Sequence, residues 1–292
     1  MKMNTPERSK IKRIGPLSEL RLLLRQAILL MVYDKRNLLI SLCFPAVASL
    51  VTVFIAGSNM FVHYDGTKSA CFVLSSAAIW CGLFNSIQII VKERANIKRD
   101  YTAGMRLSCY VISKTVVQIL LCFVQSVFLT LAFVGVKIKF SNDLPEGGLI
   151  TSYSLTDFYI TILLIMIASD AMGIFLSCLV KKVETANVMA PYILILELIL
   201  SGVLFPLEGF FQLFSYIMIS RWGMEALGSI SNLNELPLQI QMIVPSVPHE
   251  SEEMFLHTQY HLLHTWGILL CFSFLFILIG NIVLHRVAHD SR

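Results

Sequence analysis

Six stretches of this chain, 38–56, 70–91, 111–136, 156–180, 187–205 and 265–285, are each apolar enough and long enough to cross a bilayer. A helix needs about 20 residues to traverse roughly 30 Å of hydrocarbon. Lipid offers no partner to a bare N–H or C=O, so a lone apolar span must be helical. That feature alone predicts an all-α polytopic membrane protein with six transmembrane helices. Composition agrees, because only 14% of residues are charged, against about a quarter in an ordinary soluble domain. The net charge of +4 is too small for a nucleic-acid footprint, and no nucleic-acid partner is expected.

Orientation follows from the basic residues, which collect on the cytoplasmic side of membrane proteins. An inside N-terminus places 1–37, 92–114, 181–182 and 286–292 in the cytoplasm, and these segments hold 19 of the 23 Lys and Arg residues. The outer segments then hold Lys68, Lys137, Lys139 and Arg221. Both termini are therefore expected in the cytoplasm. The basic N-terminus has no small-residue cleavage pattern and reads as a cytoplasmic lead-in, not a signal peptide. Within it, 17–33 is leucine-rich but broken at helical spacing by Glu19, Arg21, Arg25 and Gln26, as in an amphipathic helix along the inner interface. The expected organisation is thus 1–37, a cytoplasmic N-terminus with this connecting helix, and 38–292, a six-span membrane domain.

The densest charge lies between two spans, in VKERANIKRDYTAG at 91–104. Orientation uses Lys and Arg while acids contribute little to it, so Glu93 and Asp100 call for another explanation. Mixed charge closed by Gly104 predicts a folded helix and turn. A second broken region, 206–262, is too polar to span and too apolar for open solvent. Short outer re-entrant helices are expected there, with Trp222, Tyr260 and Trp266 in the interfacial belt.

Chemistry-bearing residues are few. The seven cysteines sit in or beside apolar runs and read as small buried hydrophobes. His249, His257, His261 and His264 gather in the outer segment; interfacial histidines are the expected reading, and a metal site is the alternative. Asp170 and Glu197 lie inside spans, where an acid costs a few kcal/mol. Each must face protein or a water-filled path, so helix–helix bonding and lining a translocation route both stay open. The 292 residues contain no G-x-x-x-x-G-K-[ST] loop, no H-E-x-x-H and no C-x-x-C. No catalytic set is found.

Two longer stretches, KERANIKRDYTAGMRLSCYVISK and ELILSGVLFPLEGFFQLFSYIMISRWGMEALGS, together with the N-terminal helix and YDKRNLL, resemble the membrane domain of type-2 ABC exporters of the G-subfamily and its bacterial relatives. The matching positions are Glu93 ending the second span, Arg99-Asp100-Tyr101 and Gly104 in the turn, and Ser108, Tyr110 and Lys114 opening the third. Ser220 stands where that family often has proline.

The resemblance implies a permease working as a dimer, with a coupling segment at 92–110 and an outer segment at 206–262. It implies that Glu93, Arg94, Lys98, Arg99, Asp100, Tyr101 and Gly104 couple the spans to an ATPase. Cys81, Phe84, Ile195 and Leu198 would face a substrate cavity, and Val203 and Leu204 would form an apolar gate above it. No cofactor is expected on this chain. ATP and Mg would be bound by a separate ABC nucleotide-binding subunit, and membrane lipids and a second permease subunit complete the partners. The expected activity is export of a lipophilic or amphipathic substrate across a bacterial cytoplasmic membrane. A polysaccharide or lipid-linked glycan exporter, and a membrane scaffold or intramembrane enzyme, are the alternatives.

Overall fold

The computed structural model describes residues 15–145, 147–205, 207, 209–237 and 252–289. Every regular element among them is helical. In chain order they are α1 (Pro16–Tyr33), α2 (Lys35–Ala56), α3 (Tyr64–Ser86), α4 (Arg94–Thr102), α5 (Leu107–Phe140), α6 (Ser154–Leu179), α7 (Val183–Ile199), α8 (Phe210–Ser215), α9 (Ile219–Ile230) and α10 (Gln259–His289). Five helical stretches are long and apolar enough to cross a membrane: Lys35–Ala56, Tyr64–Thr102, Leu107–Phe140, Ser154–Leu179 and Gln259–Arg286.

The expected span at 187–205 takes a different form. Its helix, α7, has 17 residues and ends at Ile199, about 26 Å at 1.5 Å per residue. The chain then turns: the Ser201 hydroxyl accepts the Val203 N–H at 3.2 Å, and Gly202 adopts φ +75°. Val203 and Leu204 therefore lie in a turn, Val203 half-buried and Leu204 exposed.

α6 is the centre of the bundle and packs against α3, α5, α9 and α10. In lipid, helices gain little by hiding apolar surface from one another, and small residues and interhelical hydrogen bonds hold them instead. The α3–α6 seam is built that way. A Cβ added at Gly82 would lie 2.4 Å from the Met166 carbonyl oxygen, and one at Gly173 would lie 2.2 Å from Ser86 Oγ. Across the same seam Ser86 Oγ donates to the Asp170 carbonyl at 2.8 Å and Ser169 Oγ to that of Ile79 at 2.6 Å. At the far end from α4, Phe133 of α5 stacks on Phe158 of α6 with centroids 4.1 Å apart.

α1 lies against the start of α5, as an interfacial helix leading into the spans would. Glu19 accepts the Arg106 backbone N–H at 2.6 Å and pairs with its side chain at 3.9 Å. α9 is buried along nearly its whole length among α3, α6 and α10. This corrects the placement of Trp222: it is interior, 7% exposed, and donates to the Tyr216 carbonyl at 2.9 Å. Tyr260 is exposed, and Trp266 donates to Thr161 at 2.9 Å.

Candidate functional site: a docked charged helix and the cavity beside it

The charged run folds as a short 3-10 turn, Val91–Glu93, followed by α4. One apolar residue, Ile97, anchors α4 to a small cluster that includes Leu107, Val111, Ile174 and Leu284. The helix closes on Gly104 at φ +104°, whose N–H bonds the Tyr101 carbonyl at 2.9 Å. A side chain there would meet nothing within 4 Å, so the glycine serves the backbone angle alone.

The run divides its charges between two jobs. Glu93 turns inward and accepts from Tyr110 Oη at 2.6 Å and Lys114 Nζ at 2.7 Å, both on α5. Arg94 donates to the Val180 carbonyl, at the end of α6. Just before them, Ser177 Oγ of α6 accepts the N–H groups of Ile90 and Val91, each at 3.0 Å. α4 is thus bolted to α5 and α6 at its root. Lys98 and Arg99 lie on the exposed face with Gly104, and Asp100 borders it. Arg99 and Asp100 form an ion pair at 3.2 Å; two exposed neighbours like these contribute little to stability. Tyr101 packs against the Ile97 cluster.

Of the four residues expected to wall a substrate cavity, the structure brings two together. Cys81 and Phe84 line a cavity of about 660 Å3 bounded by α1, α2, α3 and α5. Ile195 and Leu198 lie on α7, outside this cavity. Within one chain these pairs do not share a pocket.

The two intramembrane acids have distinct surroundings. Asp170 is 1% exposed in the α3–α6 seam, and its Oδ1 has no hydrogen bond among the described residues. Glu197 is spoken for: its Oε2 accepts the Ser220 N–H at 2.9 Å, while Ser220 Oγ donates to its carbonyl. A carboxyl group at the first turn of α9 satisfies a backbone donor that the helix leaves open, and it faces the positive end of the helix dipole. The serine at the position where the resemblance leads one to expect proline supplies that N–H.

The histidines point to different neighbours. His261 pairs with Glu225 at 3.2 Å, His257 Nδ1 meets the Ser229 carbonyl at 2.7 Å, and His264 sits edge-on to Trp222. His249 lies outside the described residues. Burial raises the Glu225 carboxyl to about 7, with Arg221 at 3.7 Å partly opposing the shift.

Sequence reading missed Ser177 and Val180, which hold the run, and Glu19, which holds Arg106 just after it. It also passed over Asn85, Gln118 and Gln125, amides inside apolar runs. Amides in a span seek partners across helices, and that signal was available.

This architecture has known counterparts. Residues 18–231 match the family model described as ABC-2 type transporter. Over 166 residues the chain is 25% identical to the ABC transporter ATP-binding/permease protein Rv1747 of Mycobacterium tuberculosis, covering 56% of this chain and 19% of that relative. The chain therefore spans about a fifth of the length of the curated relative it matches. With the family model covering most of its length and a bundle of apolar helices beneath it, this chain belongs to the ABC-2 type transporter family, as the membrane permease domain of an ABC transporter.

Proposed function

We propose that this chain is the permease of a G-subfamily-like, ATP-driven exporter that moves a lipophilic or amphipathic substrate, energised by a separate ATP-binding subunit. The observation that carries this reading is the construction of α4. Glu93 and Arg94 root it on α5 and α6, while Lys98, Arg99 and Asp100 are left towards its outer face. A helix tied to the spans by its root and presenting both charge signs can dock in a partner's groove and pass a displacement on. The relative's name joins ATP-binding and permease parts in one protein, which supports an ATP-binding partner for this domain.

In this reading the α4 end faces the cytoplasm of a bacterial cell. α7 is the sixth span, its short helix completed by the turn at 200–205. Two copies meet through α7, with Ile195 and Leu198 toward the shared path and Val203 and Leu204 closing it. Nucleotide binding draws the two α4 helices together, and the bundle changes which side is open.

The test is co-expression with a neighbouring ATP-binding subunit. The two should copurify, and the permease should alter the ATPase rate. Reversing both charges, Arg99→Glu with Asp100→Lys, should abolish that alteration while yield and melting temperature hold. A permease that neither copurifies nor changes the ATPase rate overturns the proposal.

A further inference from the structure

The cavity beside α4 has its charged residues at one end and amides and apolar side chains along the rest of its wall. At the α4 end it is bordered by Asp34, Lys92, Glu93 and Lys114. Further in come the amides of Asn85, Gln118 and Gln125, the last about three turns along α5 from Lys114. Beyond or beside them the lining is apolar: Phe44, Trp80, Phe84 and Leu121. The residues recur at helical spacing on each element, such as 81, 84, 85, 88 and 92 on the α3 side and 114, 117, 118, 121 and 125 on α5, so one stripe of each helix forms the wall.

We infer that this cavity binds a single-chain amphiphile with a zwitterionic head, the chemistry of a lysophospholipid, with the head at the α4 end and the chain against Phe44, Trp80 and Phe84. The volume, about 660 Å3, lies within the roughly 300–1,000 Å3 of small-ligand sites. The charged rim holds two acids and two bases; Glu93 and Lys114 pair with each other at 2.7 Å, which leaves Asp34 and Lys92, one charge of each sign. A head of one sign finds no surplus of the other, whereas a head carrying both signs can be met at both.

The amides narrow the choice further. Asn85 donates to Gln125 at 2.6 Å, Gln125 donates to the Ser41 carbonyl at 2.8 Å, and Gln118 donates to the Asn85 carbonyl at 2.9 Å. Gln118, 5% exposed, lines the cavity. Its carboxamide offers an acceptor on the cavity wall one turn, about 6 Å, inward of Lys114. A lysophospholipid carries a free hydroxyl between head and chain that can donate to it. Leu30, Ile40 and Phe44 border the cavity and stay about half exposed, 52%, 57% and 45%, which leaves α1 and α2 as the side of entry.

The inference rests on the transport reading only for the later fate of the ligand; occupancy needs neither ATP nor a partner. The full chain is reconstituted in nanodiscs with lysophosphatidylcholine bearing a diazirine at its chain end. Cross-links should concentrate in 30–44, 80–85 and 117–125. Leu30→Trp, which fills the entry, and Val117→Trp, which fills the wall, should each lower that labelling at least fivefold, with Ile138→Trp, at an exposed position away from the cavity, unchanged. A lysophosphatidylglycerol probe should label these segments several-fold less.

Labelling spread over 45–56 and α7 and absent from the lining segments overturns the site. So does labelling that survives both filling variants while each keeps its helical circular dichroism. Equal labelling by the anionic probe overturns the assignment of the head. Specific labelling in a protein that fails to copurify with any ATPase keeps the site and removes only the transport reading.

Discussion

Glu197 and Ser220 show how one residue can decide the meaning of another. An acid in the middle of an apolar run looks like a proton carrier until its bonds are known, and here it holds the first turn of α9. Ser220→Ala removes only the hydroxyl bond and should cost about 1 kcal/mol. Ser220→Pro also removes the N–H that meets the carboxyl, and proline is otherwise tolerated in a first helical turn. It should cost about 1–3 kcal/mol more than the alanine variant, read as the difference in melting temperature in detergent; equal melting would mean that the N–H bond carries no weight. Glu225 gives a prediction in pH. Its folded value, raised to about 7 by burial against an ordinary 4.5, means that the folded protein keeps a proton the unfolded chain has released. The stabilisation is complete below about pH 4.5 and is lost as pH rises through 7, on the order of 2–3 kcal/mol. The Arg221 guanidinium and the His261 imidazole face it. Glu225→Gln should flatten stability between about pH 4.5 and 7; a slope unchanged in that variant would overturn the assignment. The sequence left helix–helix bonding open for Glu197 but not its partner, because Ser220 lies 23 positions away in the chain.

At the level of elements, glycines separate two kinds of constraint. Gly82 is required by a neighbour: its Cβ would collide with the backbone of α6. Gly104 is required by its own backbone angle in open space. Gly82→Ala should therefore cost about 1–3 kcal/mol through a strained seam, and Gly82→Asn more. Gly104→Ala should cost about 1–2 kcal/mol, and Gly104→Asn less than that, since asparagine tolerates positive φ. Unfolding curves of the four variants check the ordering, and a milder Gly82→Asn than Gly82→Ala would refute it. Apolar length made α2, α3, α5, α6 and α10 legible, and mixed charge ending in glycine made α4 legible. The early end of α7 was not, because apolar residues continue through Phe205 while Ser201 and Gly202 turn the chain.

For the whole molecule, α7 is the conspicuous element. Only Ala186, Ala190, Leu194 and Glu197 are buried on it, while Val188, Tyr192, Ile195 and Ile199 stand exposed. In the proposed dimer that face meets its copy. In a background lacking the exposed Cys43 and Cys271, Ile195→Cys should give a covalent dimer on mild oxidation in nanodiscs, and a purely monomeric product would count against the arrangement. The cavity residues divided between Cys81 with Phe84 and Ile195 with Leu198 because register along a helix is readable from sequence, whereas which helices face one another is not. Arg94 has a further consequence for how such a chain can change over generations. Its guanidinium is held by the main-chain oxygen of Val180, and every amino acid carries that oxygen. Position 180 is free to drift among apolar side chains of similar size without touching the bond, while position 94 has no such latitude. This one bond between α4 and α6 is therefore inherited through one residue instead of two, and no compensating pair of substitutions will betray it to a search for correlated change.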